Sequence, residues 1–258
     1  MPLYVGTSGW QYRHWLGRFY PRAPRPDDDL AYYAERFQSV ELNGTFYRLP
    51  DAATFEDWRD RTPPDFVFAM KASRFLTHIK RLKDAREPVE RMMERARGLG
   101  AKLGPVLLQL PPNFKRDTGR LRDALAEFHH GTRVAVEFRH DSWFAADVRA
   151  LLESRDAALC IADRGSRLRT PAWRTASWGY LRFHEGLASP APSYGDTALD
   201  ARAALVAQLF GPDADVYAYF NNDANACALR DAVRFAAASR RHGLHPTRVP
   251  PVTAIRAG

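Results

Sequence analysis

Cysteine is scarce in this chain, and its scarcity excludes several architectures. Cys160 and Cys227 are the only cysteines among 258 residues, so neither a disulfide framework nor a zinc site built on cysteines is available. Cys160 lies in an apolar run, residues 158–162, and there we expect a small core residue. The chain must therefore be stabilised by an ordinary hydrophobic core, for which its 45% hydrophobic content is ample.

Long hydrophobic runs and the common cofactor motifs are missing as well. No segment approaches the roughly 18 apolar residues of a membrane span, and no basic and then apolar leader opens the chain. The patterns Gly-x-x-x-x-Gly-Lys, Gly-x-Gly-x-x-Gly, His-Glu-x-x-His and Gly-x-Ser-x-Gly are absent. We expect a cytoplasmic protein that binds no membrane and carries no nucleotide cofactor motif.

The charge balance is basic, with a formal net charge of +8. A nucleic-acid partner is compatible with this charge but is not favoured, because the arginines are scattered over predicted helices and mixed with acidic residues, as in residues 87–91. A solvated basic surface explains the scatter, and a small anionic substrate also agrees with it.

Apolar runs alternate with helical patterns along the chain. The predicted strands are residues 3–8, 39–46, 66–72, 105–110, 133–139, 158–162, 179–183 and 216–220. The predicted helices are residues 28–36, 54–61, 84–98, 118–128, 144–154, 199–210 and 224–238. Eight such units predict an α/β fold, a single TIM-type (β/α)8 barrel with its site at the C-terminal rim. We expect the barrel to span residues 1–243, with a tail at 244–258 and an irregular crossover after Asp163.

Polar side chains follow the ends of the strand runs. Alternate strand residues share a face, so Glu41 groups with Asn43 and Arg182 with His184. The predicted mouth gathers Glu41, Asn43, Lys71, Gln109, Glu137, Arg139, Arg182, His184 and Asn221, and adjacent loops add His78, His140, Trp10, Trp143 and Asp223. Stability alone does not explain so many ionisable groups at one end of a barrel.

The order of the motifs along the chain resembles one family. Gly6-Thr-Ser-Gly-Trp10, Val40-Glu-Leu-Asn43, Leu107-Leu-Gln-Leu-Pro-Pro112, Val136-Glu-Phe-Arg-His140 and Phe220-Asn-Asn-Asp223 resemble the domain of unknown function 72 family, also called YecE-like. The resemblance covers roughly residues 3–238. It implies a TIM-barrel fold and leaves the reaction open. The run Arg182-Phe-His-Glu-Gly186 departs from the Arg-x-His-Gly pattern of the family at the seventh loop.

Glu41 and Glu137 are the candidate catalytic carboxylates, with His184 as a proton shuttle. They could work as an acid/base pair. They could equally hold a divalent metal together with His184, His78 or Asp163. A third interpretation is a buried ion network in which the glutamates only neutralise the basic residues around them.

The remaining mouth residues are candidate substrate ligands. Lys71, Arg139 and Arg182 outnumber the two glutamates by one, which leaves a positive charge for an anion. Asn43, Gln109 and Asn221 can orient hydroxyl groups, His78 lies on an adjacent loop, and Trp10 and Trp143 can stack on a ring. Asp223 is predicted to cap the helix that begins at residue 224, and His140 to cap a helix or support the site.

These features favour an enzyme of the hydrolase or isomerase type that acts on a small anionic or sugar-like substrate. A metal-dependent phosphoesterase or nuclease is one alternative. A non-catalytic module that binds a phosphorylated ligand is another. The sequence leaves metal binding and the oligomeric state open.

Overall fold

Parallel strands form the centre of the molecule in a computed structural model that describes residues 2–22 and 29–256. In chain order the strands are β1 (Pro2–Thr7), β2 (Ser39–Leu42), β3 (Val67–Lys71), β4 (Leu103–Gln109), β5 (Val134–Glu137), β6 (Ala158–Leu159), β7 (Ile161–Arg164), β8 (Arg167–Leu168), β9 (Gly179–Phe183), β10 (Val216–Phe220) and β11 (His245–Pro246). One sheet has the order β2-β3-β4-β5-β6, and the other has the order β11-β1-β10-β9-β7-β8.

Helices fill the connections between the strands. They are α1 (Asp29–Arg36), α2 (Gly44–Tyr47), α3 (Ala52–Asp60), α4 (Arg86–Ala96), α5 (Thr118–Ala126), α6 (Ala146–Ser154), α7 (Asp196–Phe210) and α8 (Cys227–Arg241). A π-helical turn (Phe75–Ile79) follows β3, and 3-10 turns occupy Arg13–Trp15, Arg97–Lys102, Asp141–Trp143, Ala224–Ala226 and Val252–Ala254. Within the described residues, no helix is long and apolar enough to cross a membrane.

The strands are buried on both faces, which is why their sequences are apolar throughout. On one face, side chains such as Val5, Leu42 and Val136 pack in the larger hydrophobic cluster together with helix residues. On the other face, a smaller cluster mixes small and aromatic side chains, among them Ala69 and Tyr219. The polar site lies where this second face reaches the C-terminal ends of the strands.

Strands β1 and β2 lie side by side without a strand pairing in the described chain. Gly6 comes so close to β2 that a Cβ atom there would lie 2.1 Å from the Ser39 oxygen, so only glycine fits. The Tyr33 hydroxyl bridges the two strands: it accepts from the Thr7 N–H at 3.0 Å and donates to the Ser39 carbonyl at 3.1 Å. The fold is thus a mixed α/β fold with two sheets, which are parallel except for the pairing of β7 with β8.

Each of the eight predicted strand runs overlaps a strand, but several boundaries were wrong. The run 39–46 is too long, because β2 ends at Leu42 and α2 begins at Gly44. The last helix begins at Cys227 and not at residue 224, because Asn225 and Ala226 take left-handed backbone angles, φ 60° and 59°. Asp28, predicted to begin the first helix, lies outside the described residues.

The crossover after Asp163 is irregular, as predicted. In place of a helix, β7 and β8 form a short antiparallel hairpin. Residues 244–256, from the predicted tail, pack against the rest of the chain: β11 pairs with β1, and Arg248 forms an ion pair with Asp65 at 2.9 Å.

Candidate functional site

A buried arginine forms the centre of the polar cluster. Arg182, near the end of β9, is 1% exposed. Its Nη2 donates to Glu41 Oε1 and its Nη1 to Glu137 Oε2, both at 2.8 Å. Burial lowers the pKa of Arg182, but the two carboxylates outweigh burial and raise it. Three charges can share this buried volume because each is paired and hydrogen-bonded.

Glu41 is saturated with partners from the protein. Its side chain is fully buried. Oε1 accepts from Ser8 Oγ at 2.8 Å as well as from Arg182, and Oε2 accepts from the Tyr180 hydroxyl at 2.7 Å. Both oxygens face protein donors, so in this structure Glu41 holds Arg182 in place.

Glu137 joins the buried arginine to the more exposed part of the cluster. Oε2 accepts from Gln109 Nε2 at 2.9 Å, while Oε1 lies 3.1 Å from Arg139 Nε and 3.0 Å from His184 Nε2. Burial alone would raise the pKa of Glu137, but Arg182, His184 and Arg139 outweigh it and hold the pKa well below its usual range. Glu137 is therefore ionised at neutral pH and cannot serve as a proton donor.

A chain of side-chain amides fixes His184. Asn43 Nδ2 donates to Asn221 Oδ1 at 3.4 Å, which leaves Asn221 Nδ2 to donate to His184 Nδ1 at 3.3 Å. Because the Glu137 carboxylate can only accept, His184 Nε2 carries the proton. Glu137 on one side and Asn221 on the other thus fix the orientation of the imidazole ring.

Asp163 binds the backbone of His184. It accepts hydrogen bonds from the Tyr194 hydroxyl and, at 3.3 Å, from the backbone N–H of His184. Arg202 Nε lies 3.5 Å from its other oxygen. Burial raises the pKa of Asp163 despite these partners.

A cavity of about 790 Å³ opens beside the cluster, a size that suits a small molecule. Its lining includes Glu137, Arg139, Asp163, His184 and Asn221 together with Phe138, Phe144 and Pro112. The side chain of Arg139 is 40% exposed, which leaves much of its guanidinium open to a ligand. Glu41 and Arg182 lie beneath this surface and are not part of the lining.

Lys71 and His78 lie next to the Phe46 ring and are not among the residues that line the cavity. The Lys71 Nζ lies 4.2 Å from the centre of that ring, and the His78 ring packs edge-on at 4.9 Å. Burial, reinforced by Arg182, lowers the pKa of Lys71 to about 8. Burial and the charge of Lys71 lower the pKa of His78 to about 4, so His78 is neutral at pH 7.

The two tryptophans predicted to line the mouth are buried in the core. Trp10 is 5% exposed and packs edge-on against Trp58. Trp143 is fully buried, stacks on Phe138 at 4.7 Å and donates its indole N–H to the Phe114 carbonyl. Both rings pack against other aromatic side chains and are not open to a ligand in this structure, contrary to the predicted stacking role.

Asp223 does not cap the last helix. Its carboxylate accepts from the Trp15 indole N–H at 2.8 Å and pairs with His14 at 2.8 Å, because a buried indole N–H needs an acceptor. Burial raises the pKa of Asp223 to about 6. The capping prediction holds for His140, whose Nδ1 accepts from the Ser142 N–H of a 3-10 turn at 3.1 Å.

Two residues of the site were missed from the sequence. Tyr180 lies two residues before Arg182 on the same strand face, so strand parity was a usable signal. Phe46 was counted as part of a strand, and nothing in the local pattern indicates that Lys71 and His78 meet on its ring.

No group of three or more His, Cys, Asp or Glu residues is arranged to hold a metal within residues 2–22 and 29–256. Arg182 lies between the two glutamates and binds an oxygen of each. The described donors therefore do not assemble the metal-ligand set that the sequence allowed.

The chain matches the family model described as "Protein of unknown function DUF72" over residues 4–254. It belongs to this family. The UPF0759 protein YunF of Bacillus subtilis (strain 168) is 30% identical over 152 residues, and the match covers 55% of this chain and about half (52%) of that relative. The resemblance found in the motifs is thus confirmed.

Solved structures of the DUF72 family have a similar fold. A family protein from Thermotoga maritima MSB8 is 28% identical with a TM-score of 0.79, covering 92% of this chain and 98% of that one. One from Enterococcus faecalis V583 is 18% identical with a TM-score of 0.76, covering 92% and 95%. At that identity the second likeness shows the fold alone.

Proposed function

We propose that this DUF72 family member is an enzyme of the hydrolase or isomerase type that acts on a small anionic or hydroxyl-rich substrate. The observation that carries the proposal is the Arg182 cluster, whose outer members Arg139, His184 and Asn221 line a cavity of about 790 Å³. A buried network of this kind seldom improves stability over apolar packing. Its position beside a cavity favours a role in binding and catalysis.

We infer that the two sheets are parts of one (β/α)8 barrel within residues 1–243. Strands β6 and β7 are separated only by Cys160, and Tyr33 joins β1 to β2. With these two junctions, the strands follow one another in a ring, and the polar groups surround the mouth at its C-terminal end. That end carries the active site in barrels of this type.

Arg139 is proposed to anchor the anionic group of the substrate. Its planar guanidinium suits a carboxylate or phosphate, and a large part of it is exposed. Lys71, Arg139 and Arg182 outnumber Glu41 and Glu137 by one charge. The Asp223 carboxylate, which also lines the cavity, pairs with His14, and the surplus charge within the cluster supports an anionic ligand. Asn221 and Asn43 would orient hydroxyl groups of the substrate.

His184 is proposed to move the proton. Glu137 fixes its tautomer and would stabilise an imidazolium, as a carboxylate does in other carboxylate–histidine pairs. A substrate hydroxyl that replaces the long bond to Asn221 would reach the lone pair of Nδ1. In this arrangement Glu41 does not touch substrate but holds Arg182 and, through it, Glu137.

Ligand binding by thermal shift, with sugar phosphates, sugar acids and neutral sugars, tests the anion site. We expect anions to stabilise the wild type and to lose at least about tenfold in affinity with Arg139→Gln. Arg241→Gln, which removes an exposed arginine paired with Asp200 on the outer helices, is the matched control. Equal anion binding by both variants would contradict the role of Arg139.

Turnover of a ligand found in this way separates an enzyme from a binding module. We expect His184→Gln to keep affinity within about threefold and to lose about 100-fold or more in kcat, because general acid–base catalysis contributes that much. An unchanged kcat would contradict the role of His184. A ligand that binds without any conversion by the wild type would favour a binding module.

A further inference from the structure

Lys71 is the cluster member that the two glutamates do not neutralise. All four carboxylate oxygens already accept from other side chains: Ser8, Tyr180, Gln109, Arg139, Arg182 and His184. In the described chain the Lys71 ammonium makes neither a hydrogen bond nor an ion pair, and it rests against the Phe46 ring. The side chain is mostly buried yet not sealed from solvent.

Lys102 shows how this chain holds a lysine with a structural role. Its ammonium donates to the carbonyls of Arg59 and Thr62 and to the Thr62 hydroxyl, so all three protons are used. The chain has only five lysines. Lys80 reaches the carbonyl and carboxylate of Asp84, and the last two, Lys83 and Lys115, are exposed. Among the residues that the structure describes, Lys71 differs from the other lysines in being mostly buried without a hydrogen-bonding partner for its ammonium.

We propose that Lys71 is a nucleophilic amine that forms an imine with the carbonyl carbon of an aldehyde or ketone substrate carrying an anionic group. The inference rests on the proposed function and names the substrate class of the same site. The anionic group would lie on Arg139, and the carbonyl carbon would reach Lys71 Nζ.

The step needs no oxidant or reductant. The neutral amine of Lys71 adds to the carbonyl carbon, the C=O electron pair moves to oxygen, and that oxygen takes up the proton released by nitrogen. The hydroxyl of the carbinolamine then takes up a second proton, and the C–O bond breaks with loss of water while the nitrogen lone pair forms the C=N bond. The protonated imine so formed can release its N–H proton to replace the one consumed, so that amine and carbonyl give imine and water. A protonated imine withdraws electrons from the neighbouring C–H bond, which suits isomerisation.

His78 is placed to carry the proton between nitrogen and oxygen. The Thr77 hydroxyl donates to the Ser73 carbonyl at 3.0 Å, so it accepts from His78 Nδ1 at 2.9 Å. The proton of the neutral ring therefore lies on Nδ1, and Nε2 presents a lone pair. Lys71, at the end of β3, and His78, on the π-helical turn, both contact the Phe46 ring. Single π-helical turns are frequent at functional sites.

The electrostatic surroundings favour the free amine. Burial and Arg182 lower the pKa of Lys71 to about 8. At pH 7 about a tenth of such a side chain is uncharged, against less than about a thousandth of an ordinary solvated lysine with a pKa near 10.4. An amine in this state is activated for attack on a carbonyl.

Borohydride trapping tests the proposal on the full chain, with pyridoxal 5′-phosphate as an anionic aldehyde and peptide mass mapping as the readout. At pH 7 and limiting aldehyde we expect Lys71 to be modified at least about tenfold faster than Lys115 or Lys102. Lys71→Arg, which keeps the charge, should lose this fast adduct while retaining a normal melting temperature. His78→Gln should slow the adduct at Lys71 without abolishing it.

Other outcomes would overturn the inference. Faster labelling of the exposed Lys83 and Lys115 than of Lys71 would contradict imine formation at Lys71. Equal labelling of wild type and Lys71→Arg would contradict it as well. If phosphate binding still depends on Arg139 in that case, the proposed function stands and only this inference fails. Equal rates with pyridoxal, which lacks the phosphate, would overturn the anionic part of the substrate class.

Discussion

Arg182 illustrates how one residue can organise a site without touching its ligand. The guanidinium is buried and bonded to a carboxylate on each side, Glu41 on β2 and Glu137 on β5. It thereby joins three strands that are distant in the chain. Arg182 also positions Glu137, which bonds His184 Nε2, so the buried charges orient a side chain that lines the cavity.

Substituting Arg182 should be strongly destabilising. Arg182→Met leaves the buried Glu41 without its counter-charge and Glu137 with only Arg139 as a cationic partner besides His184. We expect a loss of about 3–5 kcal/mol in the free energy of unfolding by urea titration. Arg164→Met is the control: its ion pair with Glu185 is largely exposed, so the loss should stay below about 1 kcal/mol. Similar losses in both variants would show that the buried pairs carry no special stability.

A milder change at the same place gives a graded measurement if Arg182→Met does not fold. Tyr180→Phe removes the hydroxyl that donates to Glu41 Oε2 and nothing else. Hydrogen bonds to charged groups are worth about 1.5–3 kcal/mol, and we expect a loss in that range. A loss near zero would mean that another donor or a water replaces the hydroxyl.

At the scale of secondary structure, regular periodicity was predictable and special backbone geometry was not. The alternation of apolar strands with helices located β3, β4 and the helices from α4 to α7 closely. The start of α8 at Cys227 depends on left-handed backbone angles at Asn225 and Ala226. Neither residue is a glycine, the residue type that would have indicated such angles in the sequence. Propensity patterns do not contain that information.

The candidate site shows the same division. Strand parity placed the charged residues Glu41, Glu137 and Arg182 together, because two-residue periodicity follows from strand geometry. It did not reveal that Trp143 is buried or that Asp223 turns to Trp15. Those outcomes depend on tertiary packing between segments far apart in sequence, which a local sequence pattern cannot predict.

The Tyr33 bridge between β1 and β2 is a testable feature at this scale. Tyr33→Phe leaves the Thr7 N–H and the Ser39 carbonyl buried without this partner, and we expect a loss of about 1–3 kcal/mol in unfolding free energy. Hydrogen exchange at the Thr7 amide should accelerate as well. Tyr32→Phe is the matched control, because that neighbouring hydroxyl has no hydrogen bond within the described residues, and its effect should stay within about 0.5 kcal/mol.

At the scale of the whole molecule, Asp223 joins the first and last strand–helix units, whose strands β1 and β10 are neighbours in the sheet. It follows β10, yet it binds His14 and Trp15 in the connection after β1. Burial raises the pKa of Asp223 to about 6, above the value near 3.9 of an unfolded aspartate. Between these two pKa values the folded state binds the additional proton, so protonation of Asp223 stabilises the fold as the pH falls.

The pH dependence of unfolding measured for wild type and Asp223→Asn isolates this group. Relative to the variant, the wild type should gain about 2 kcal/mol as the pH falls from 7 to 4, since a shift of one pKa unit is worth about 1.4 kcal/mol. The asparagine oxygen can still accept from Trp15, which keeps the contact while removing the titration. Parallel pH profiles would mean that the Asp223 carboxyl titrates alike in the folded and unfolded chains. The contacts of Asp223 with His14 and Trp15 would then contribute equally to stability at each pH.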